Sequence, residues 1–289
     1  MKLNADQIRF FEEQGYLALD GVLEPSDLDP VQAAYEAWID ERARELLADD
    51  RIIDLYSDAS FDARIGLLAE QCSTILDGMD IMQARLPAMC GLLQCANLLD
   101  AVEGLVGSEI TCNPIQHIRA KPPDRVNSNG YYVVPWHQDA AVTWAEADDT
   151  NIVTCWIAFV DATVENGCME VLPGVFKLGY LPHHTGGAGT TIRPDVLPEV
   201  TPVAVPVKRG GVVFMSRFTP HRSTPNNTDM VRWSIDLRYQ PTGLPTGRPF
   251  YPEFAVRSSG TPQAINYLSW SQRWQDALAA SHGVKAHRV

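Results

Sequence analysis

From Ile110 onward the chain breaks into short β-rich runs separated by Gly, Pro and Asn, and no other feature limits the fold as much. The runs are 115–120, 133–140, 151–160, 168–172, 201–207, 211–218 and 231–239. Short strands at such spacing form an antiparallel sandwich or barrel, and seven of them after a helical region predict a jelly roll.

The preceding third reads as helix. Asn4 is placed to cap a helix of about ten residues that ends at Gly15, a residue suited to the left-handed C-terminal position. Residues 16–22 alternate enough for a short strand, and Pro25-Ser26-Asp27 opens a long helix to about residue 47. Residues 63–106 carry Leu67, Leu68, Ile75, Leu76, Leu92, Leu93, Leu98, Leu99, Val102 and Leu105 at three- and four-residue spacings, which predicts helix throughout. In the tail, Tyr267, Trp270, Trp274 and Leu278 fall at helical spacing and predict a last helix docked on the barrel. The expected class is mainly β with helices (α+β), one domain over 1–289. Residues 1–108 would be helical cap and support, 109–245 jelly-roll core and 246–289 a C-terminal extension.

Charge follows the same division. The net charge of −13 lies entirely in residues 1–100, which hold 20 acids and 7 bases, whereas residues 101–289 hold 16 of each and all seven histidines. So acidic a chain has no sequence-independent grip on nucleic acid or on an anionic membrane, since both need clustered Lys and Arg. No stretch approaches the roughly 18 apolar residues of a membrane span, and the opening residues show no apolar signal core. A cytoplasmic protein is expected. The six cysteines show no CxxC spacing and read as reduced, mostly buried thiols.

Two patterns carry chemistry. In the 231–239 run one face presents Val231, Trp233, Ile235, Leu237 and Tyr239, and the other Arg232, Ser234, Asp236 and Arg238. That polar face looks either to solvent or into a wet cavity. In Trp136-His137-Gln138-Asp139, an extended run would point His137 and Asp139 to one side, where both could bind one metal. His221, just after the 211–218 strand, supplies a second imidazole. Two His and one carboxylate on one face of an ion form the facial triad of non-haem Fe(II) oxygenases, with open positions for oxidant assembly. Arg232 lies eleven residues after His221 across the polar turn 225–229. A hairpin there would return its guanidinium to the metal, suited to a two-point grip on a carboxylate.

These residues resemble the phytanoyl-CoA dioxygenase-like branch of the Fe(II)/2-oxoglutarate-dependent oxygenases. The resemblance rests on W-H-Q-D at 136–139, V-T-C-W-I-A-F-V-D-A-T-V-E-N-G-C-M-E-V-L-P-G at 153–174, and H-R-S-T-P-N-N at 221–227 followed by Arg232. It implies a double-stranded β-helix, cupin-like core in which His137, Asp139 and His221 hold iron. Arg232 and Ser223 would bind the distal carboxylate of 2-oxoglutarate, and Trp156, His117 and Gln138 would line its pocket. One departure is Val175-Phe176, where relatives usually carry Ser-His after Pro-Gly.

The expected reaction uses Fe(II), 2-oxoglutarate and O2 to oxidise, most simply to hydroxylate, a C–H bond of a small molecule, with release of succinate and CO2. Gln116, Arg119, Tyr132, Trp144 and Arg217 flank the expected site as substrate contacts. Residues 183–190, rich in glycine, suit a lid, with His183 and His184 facing solvent. A non-catalytic cupin-like sensor and a zinc-dependent hydrolase share the His/Asp/His requirement, but neither needs a carboxylate clamp eleven residues beyond the second His.

Overall fold

The computed structural model describes residues 1–126, 133–186 and 189–288. The helices are α1 (Ala5–Gln14), α2 (Pro25–Ala48), α3 (Phe61–Gln71), α4 (Ile81–Ala84), α5 (Pro87–Leu92), α6 (Ala96–Val106) and α7 (Tyr267–Ala280). The strands are β1 (Tyr16–Leu19), β2 (Ile110–Cys112), β3 (His117–Lys121), β4 (Val153–Ala158), β5 (Met169–Val171), β6 (His183–Gly186), β7 (Gly189–Ile192), β8 (Val203–Val205), β9 (Val212–Ser216), β10 (His221–Ser223), β11 (Arg232–Pro241), β12 (Phe254–Ser258) and β13 (Thr261–Pro262). The major sheet runs β1-β9-β4-β11-β2-β12-β13 with β3 also on β11, and the minor sheet runs β10-β5-β8. These are the two faces of the expected jelly roll.

Residue type decides which face each layer buries. On β11, Trp233, Ile235, Leu237 and Tyr239 join Cys155 and Ile157 of β4 and Phe214 of β9 in a core shared with α2, α3, α5 and α6. The helical third is thus the cover over the outer face of the major sheet. Tyr35, Phe61 and Phe159 crowd round the fully buried Trp233, with Phe61 stacked on it at 4.6 Å. The inner face is apolar at one end, where Trp156, Ala158, Val213 and Met215 meet Met169, Val171 and Val205 of the minor sheet. At the other end Arg232, Ser234, Asp236 and Arg238 line a cavity. Of the two environments open to this polar strand face, it takes the wet interior.

Capping follows the sequence. Asn4 Oδ1 accepts from the Gln7 N–H while Gln7 Oε1 accepts from the Asn4 N–H, both at 2.9 Å, and Gly15 ends α1 at φ +79°. Gly15 is needed twice, because a Cβ there would lie 2.3 Å from the ring of Phe176.

Several expectations are corrected. The helix predicted over 63–106 is broken into α3, a 3-10 turn at Ser73–Leu76, α4, α5 and α6. Gly78 at φ +81° interrupts the pattern, and Pro87, which cannot extend a preceding helix, starts α5. The break carries Asp80 to the cavity wall. The strand expected at 133–140 does not form. Pro135 has no N–H to give a ladder, only His137 makes a bridge, and Asp139 opens a 3-10 turn, Asp139–Val142. No hairpin joins His221 to Arg232, for β10 belongs to the minor sheet and β11 to the major one. The turn between them crosses from one layer to the other.

Of the residues 183–190 expected as a lid, 187 and 188 lie outside the described residues. The flanking strands β6 and β7 pair with each other, and His184 is exposed as expected. His183 is not: it is 8% exposed, and its Nε2 accepts the Gln138 N–H at 3.0 Å. All six thiols are free, with Cys90, Cys112, Cys155 and Cys168 buried. Among the described residues no helix is long and apolar enough to cross a membrane.

Candidate metal centre

The backbone bridge between His137 and His221, with N–H to carbonyl distances of 3.0 Å in both directions, sets the two imidazoles side by side at 4.1 Å between ring centres. Each ring is turned by its Nδ1, which donates to a carbonyl two residues back: Pro135 O for His137 and Thr219 O for His221, both 2.9 Å. Both Nε2 atoms therefore keep a lone pair available, the arrangement a metal-binding histidine needs. The 3-10 turn brings Asp139 to the same point, and ligand atoms of His137, Asp139 and His221 lie within 4.8 Å of one another.

The charge states suit a cation. Burial and the neighbouring His221 push the His137 pKa down to about 4, and burial also lowers that of His221, so both rings are neutral at pH 7. Burial alone would oppose ionisation of Asp139, but Arg238 and the two imidazoles outweigh it and hold the carboxyl well below the usual range. Two neutral imidazoles and a carboxylate on one side form a donor set that fits Fe(II) with positions left open.

Arg232 lies in the same cavity of about 610 Å³. It is 4% exposed, and its guanidinium sits 5.1 Å above the Trp156 ring. Nη1 donates to Ser234 Oγ at 2.7 Å, whereas Nε has no hydrogen-bond partner and the group forms no ion pair among the described residues. Burial pushes its pKa down to about 10. A buried guanidinium with idle donors fits the carboxylate of a dianionic cosubstrate. Ser223, on the same wall, accepts from the Val134 N–H at 3.1 Å and from Lys121 Nζ at 3.2 Å.

Lys121, unassigned from the sequence, also lines the cavity. It stands opposite Arg232 across the β3–β11 ladder, is 2% exposed, and also donates to Thr224 O. The signal was present, since His117, Arg119 and Lys121 alternate on β3 as the polar face of β11 does. Arg238 and Thr154, cross-strand partners on β11 and β4, were also unassigned, and both bond to Asp139.

The other expected positions divide. His117 lines the cavity, with Nδ1 2.7 Å from Asp80 Oδ2, and Arg119 lies on the wall with Nε 3.8 Å from Asp236. Gln138 does not reach the cavity: its amide joins Gly179 O, Phe218 O and the Leu181 N–H, which makes it a structural staple. Gln116 is fully buried against Cys112 Sγ and Asn113 O. Arg217 is turned inward to Ala147 O, Thr143 and Asp148. Trp144 donates to Lys285 O at 3.1 Å, away from the cavity. Tyr132 lies outside the described residues. Val175 packs with Leu172, Leu181 and Ile192, so the apolar pair at 175–176 belongs to packing.

A family model described as Phytanoyl-CoA dioxygenase (PhyH) matches residues 11–234. A methylphosphonate hydroxylase of Gimesia maris is 36% identical over 103 residues, 36% of this chain and 37% of that protein. A probable phytanoyl-CoA dioxygenase of Caenorhabditis elegans is 25% identical over 251 residues, covering 82% of this chain and 75% of its own. Among solved structures, the non-heme monooxygenase ThoJ superposes with a TM-score of 0.58 at 19% identity, over 96% of this chain and 99% of its own. EvdO2 from Micromonospora carbonacea, complexed with 2-oxoglutarate, does so at 0.53 and 22%, over 91% and 96%. These two share the fold. The chain therefore belongs to the phytanoyl-CoA dioxygenase family, oxidoreductases that work with iron and 2-oxoglutarate.

Proposed function

We propose that the protein oxidises a C–H bond of a small-molecule substrate by hydroxylation. His137, Asp139 and His221 hold Fe(II), and Arg232, with Ser223 and Lys121, holds the distal carboxylate of 2-oxoglutarate. The observation that carries this reading is one cavity holding both a two-His, one-carboxylate cluster and a buried guanidinium that forms no ion pair among the described residues. A zinc hydrolase has no use for the second element.

When bound, iron and 2-oxoglutarate supply the oxidising chemistry, in which O2 places one oxygen atom in succinate, formed with CO2, and the other in the hydroxylated product. The protein does the rest. The carbonyls of Pro135 and Thr219 keep the ligating nitrogens pointed inward, and Arg238 and Thr154 fix the carboxylate. Trp156 gives the Arg232 guanidinium a flat support. The enclosing sheets limit access of bulk water.

Iron-reconstituted protein supplied with 2-oxoglutarate and O2 is expected to form succinate, slowly alone and faster with a substrate. Asp139→Ala is expected to abolish both rates. Absence of succinate under all conditions, or full activity in Asp139→Ala, would refute the reading.

A further inference from the structure

We propose that the substrate carries an oxyanion, a carboxylate, phosphonate or phosphate, and that Arg248 receives it. The inference rests on the oxygenase reading for the nature of the cavity and adds the class of molecule that enters it.

Arg248 is 7% exposed and lies on the cavity wall with Asp139 and Val142. Among the described residues its side chain makes one hydrogen bond, Nε donating to Val142 O at 2.8 Å, and pairs with no carboxylate. Burial, then the charge of Arg238, pushes its pKa down to about 10 against the opposing effect of Tyr251, and His287 also feels its charge. The loop that carries it is tied down. Its own N–H donates to Thr246 Oγ1, Tyr251 N–H donates to its carbonyl, and the Trp144 N–H donates to Gly247 O at 3.0 Å. Gly247 permits this approach, since a Cβ there would lie 2.5 Å from Thr143.

Several other basic groups of the cavity have a carboxylate beside them. Arg238 is neutralised by Asp139, Arg119 faces Asp236, and His117 faces Asp80. Arg232 and Lys121 face the cosubstrate in the proposed reading. Arg248 has neither that role nor a carboxylate partner among the described residues. A buried cation is unfavourable without a counterion, and none of the described residues supplies one.

Its neighbours extend the same chemistry. His117 spends Nδ1 on Asp80, and its other ring nitrogen has no hydrogen-bond partner among the described residues. His287 sits on the same wall, where desolvation and then Arg248 and His117 lower its pKa. Arg248, His117 and His287 thus line the same cavity as the Asp139 carboxylate. Leu76 and Met79 supply an apolar wall for the rest of the molecule.

The test is calorimetric titration, under argon, of protein holding Fe(II) and saturating 2-oxoglutarate. The probes are phenylphosphonate, hexanoate and inorganic phosphate, with dimethyl phenylphosphonate and hexanamide as uncharged counterparts. At least one anion is expected to bind tenfold or more tightly than its neutral counterpart. Arg248→Met should remove that preference and Arg248→Lys retain part of it, with the wild-type far-UV circular dichroism kept in both. The proposal falls if no anion is preferred, if the preference survives in Arg248→Met, or if Arg232→Met removes it and Arg248→Met does not. The last outcome would place the anion in the cosubstrate clamp. The visible absorption band of Fe(II) with 2-oxoglutarate, recorded on the same samples, reports separately on the oxygenase reading. If the band is missing, the anion preference and its dependence on Arg248 still decide this proposal.

Discussion

Arg238 grips both oxygens of the Asp139 carboxylate, with Nη2 2.7 Å from Oδ1 and Nε 3.3 Å from Oδ2, and both side chains are buried. Oδ1 is also the oxygen that faces His221 Nε2, at 4.0 Å. The guanidinium therefore sets the direction in which the carboxylate meets a metal. Arg238→Met is expected to weaken Fe(II) binding by about 10- to 100-fold, the usual effect of losing a partner behind a ligand. Leaving Asp139 buried and unpaired should also cost the metal-free protein about 3–5 kcal/mol, a loss that added metal partly restores. Anaerobic metal titration and melting curves with and without Zn(II) check both. Wild-type metal affinity in Arg238→Met would refute this role.

Removing Arg232 should separate cosubstrate from metal. A hydrogen bond to a charged group contributes about 1.5–3 kcal/mol, so Arg232→Met is expected to weaken 2-oxoglutarate binding by roughly 10- to 150-fold. Iron affinity should stay at the wild-type value. Arg232→Lys keeps the charge without the planar fork and should fall between the two. Calorimetric titration of 2-oxoglutarate measures all three.

Lys121 gives the site a pH dependence. Burial, then the charge of Arg232, pushes its pKa down to about 8 from 10.5. The dianion favours the charged amine, so its affinity should be flat below about pH 8 and weaken as pH rises through that value. Stability of the cosubstrate-free protein should move the other way. Between about pH 8 and 10.5 the unfolded chain binds more protons than the folded one, so the Lys121 contribution to stability rises with pH across that window. Both slopes should vanish in Lys121→Met. Persistence of the affinity slope in that variant would assign it elsewhere.

Gly167 links a turn to the pocket. It stands at φ +88°, and a Cβ there would lie 2.6 Å from Thr224 O, the carbonyl that accepts from Lys121 Nζ. Gly167→Ala must strain the backbone or displace that carbonyl, at a cost of about 1–3 kcal/mol. The expected result is a lower melting temperature together with weaker 2-oxoglutarate binding and unchanged metal binding. A variant that is destabilised but binds 2-oxoglutarate normally would confine Gly167 to the turn.

How much of this could be read in advance depended on whether a signal was local. The capping box at Asn4, the strand at 153–158 and the alternating faces of 232–239 were legible because propensity and period act over a few residues. His137 and Asp139 do come together, but not by the alignment expected of an extended run. No strand aligns the two side chains; a bridge to His221 and a 3-10 turn do so. Gln138 and Arg217 were polar residues beside the site whose hydrogen bonds lie in the opposite direction, and residue type does not reveal direction.

The sequence by itself determined the layers and the donor set: a helical acidic third, a jelly roll from Ile110 onward, and His137, Asp139, His221 and Arg232 as residues suited to iron and a carboxylate. Tertiary structure alone decided which charges are spoken for. Arg232, Arg238 and Arg248 are the same residue type on or near one strand, yet one has idle donors, one is paired with Asp139, and one is buried with no counterion among the described residues. Each outcome depends on groups brought in from distant segments, over a few ångströms in a medium that screens charge weakly. Spacing along the chain carries no record of those distances.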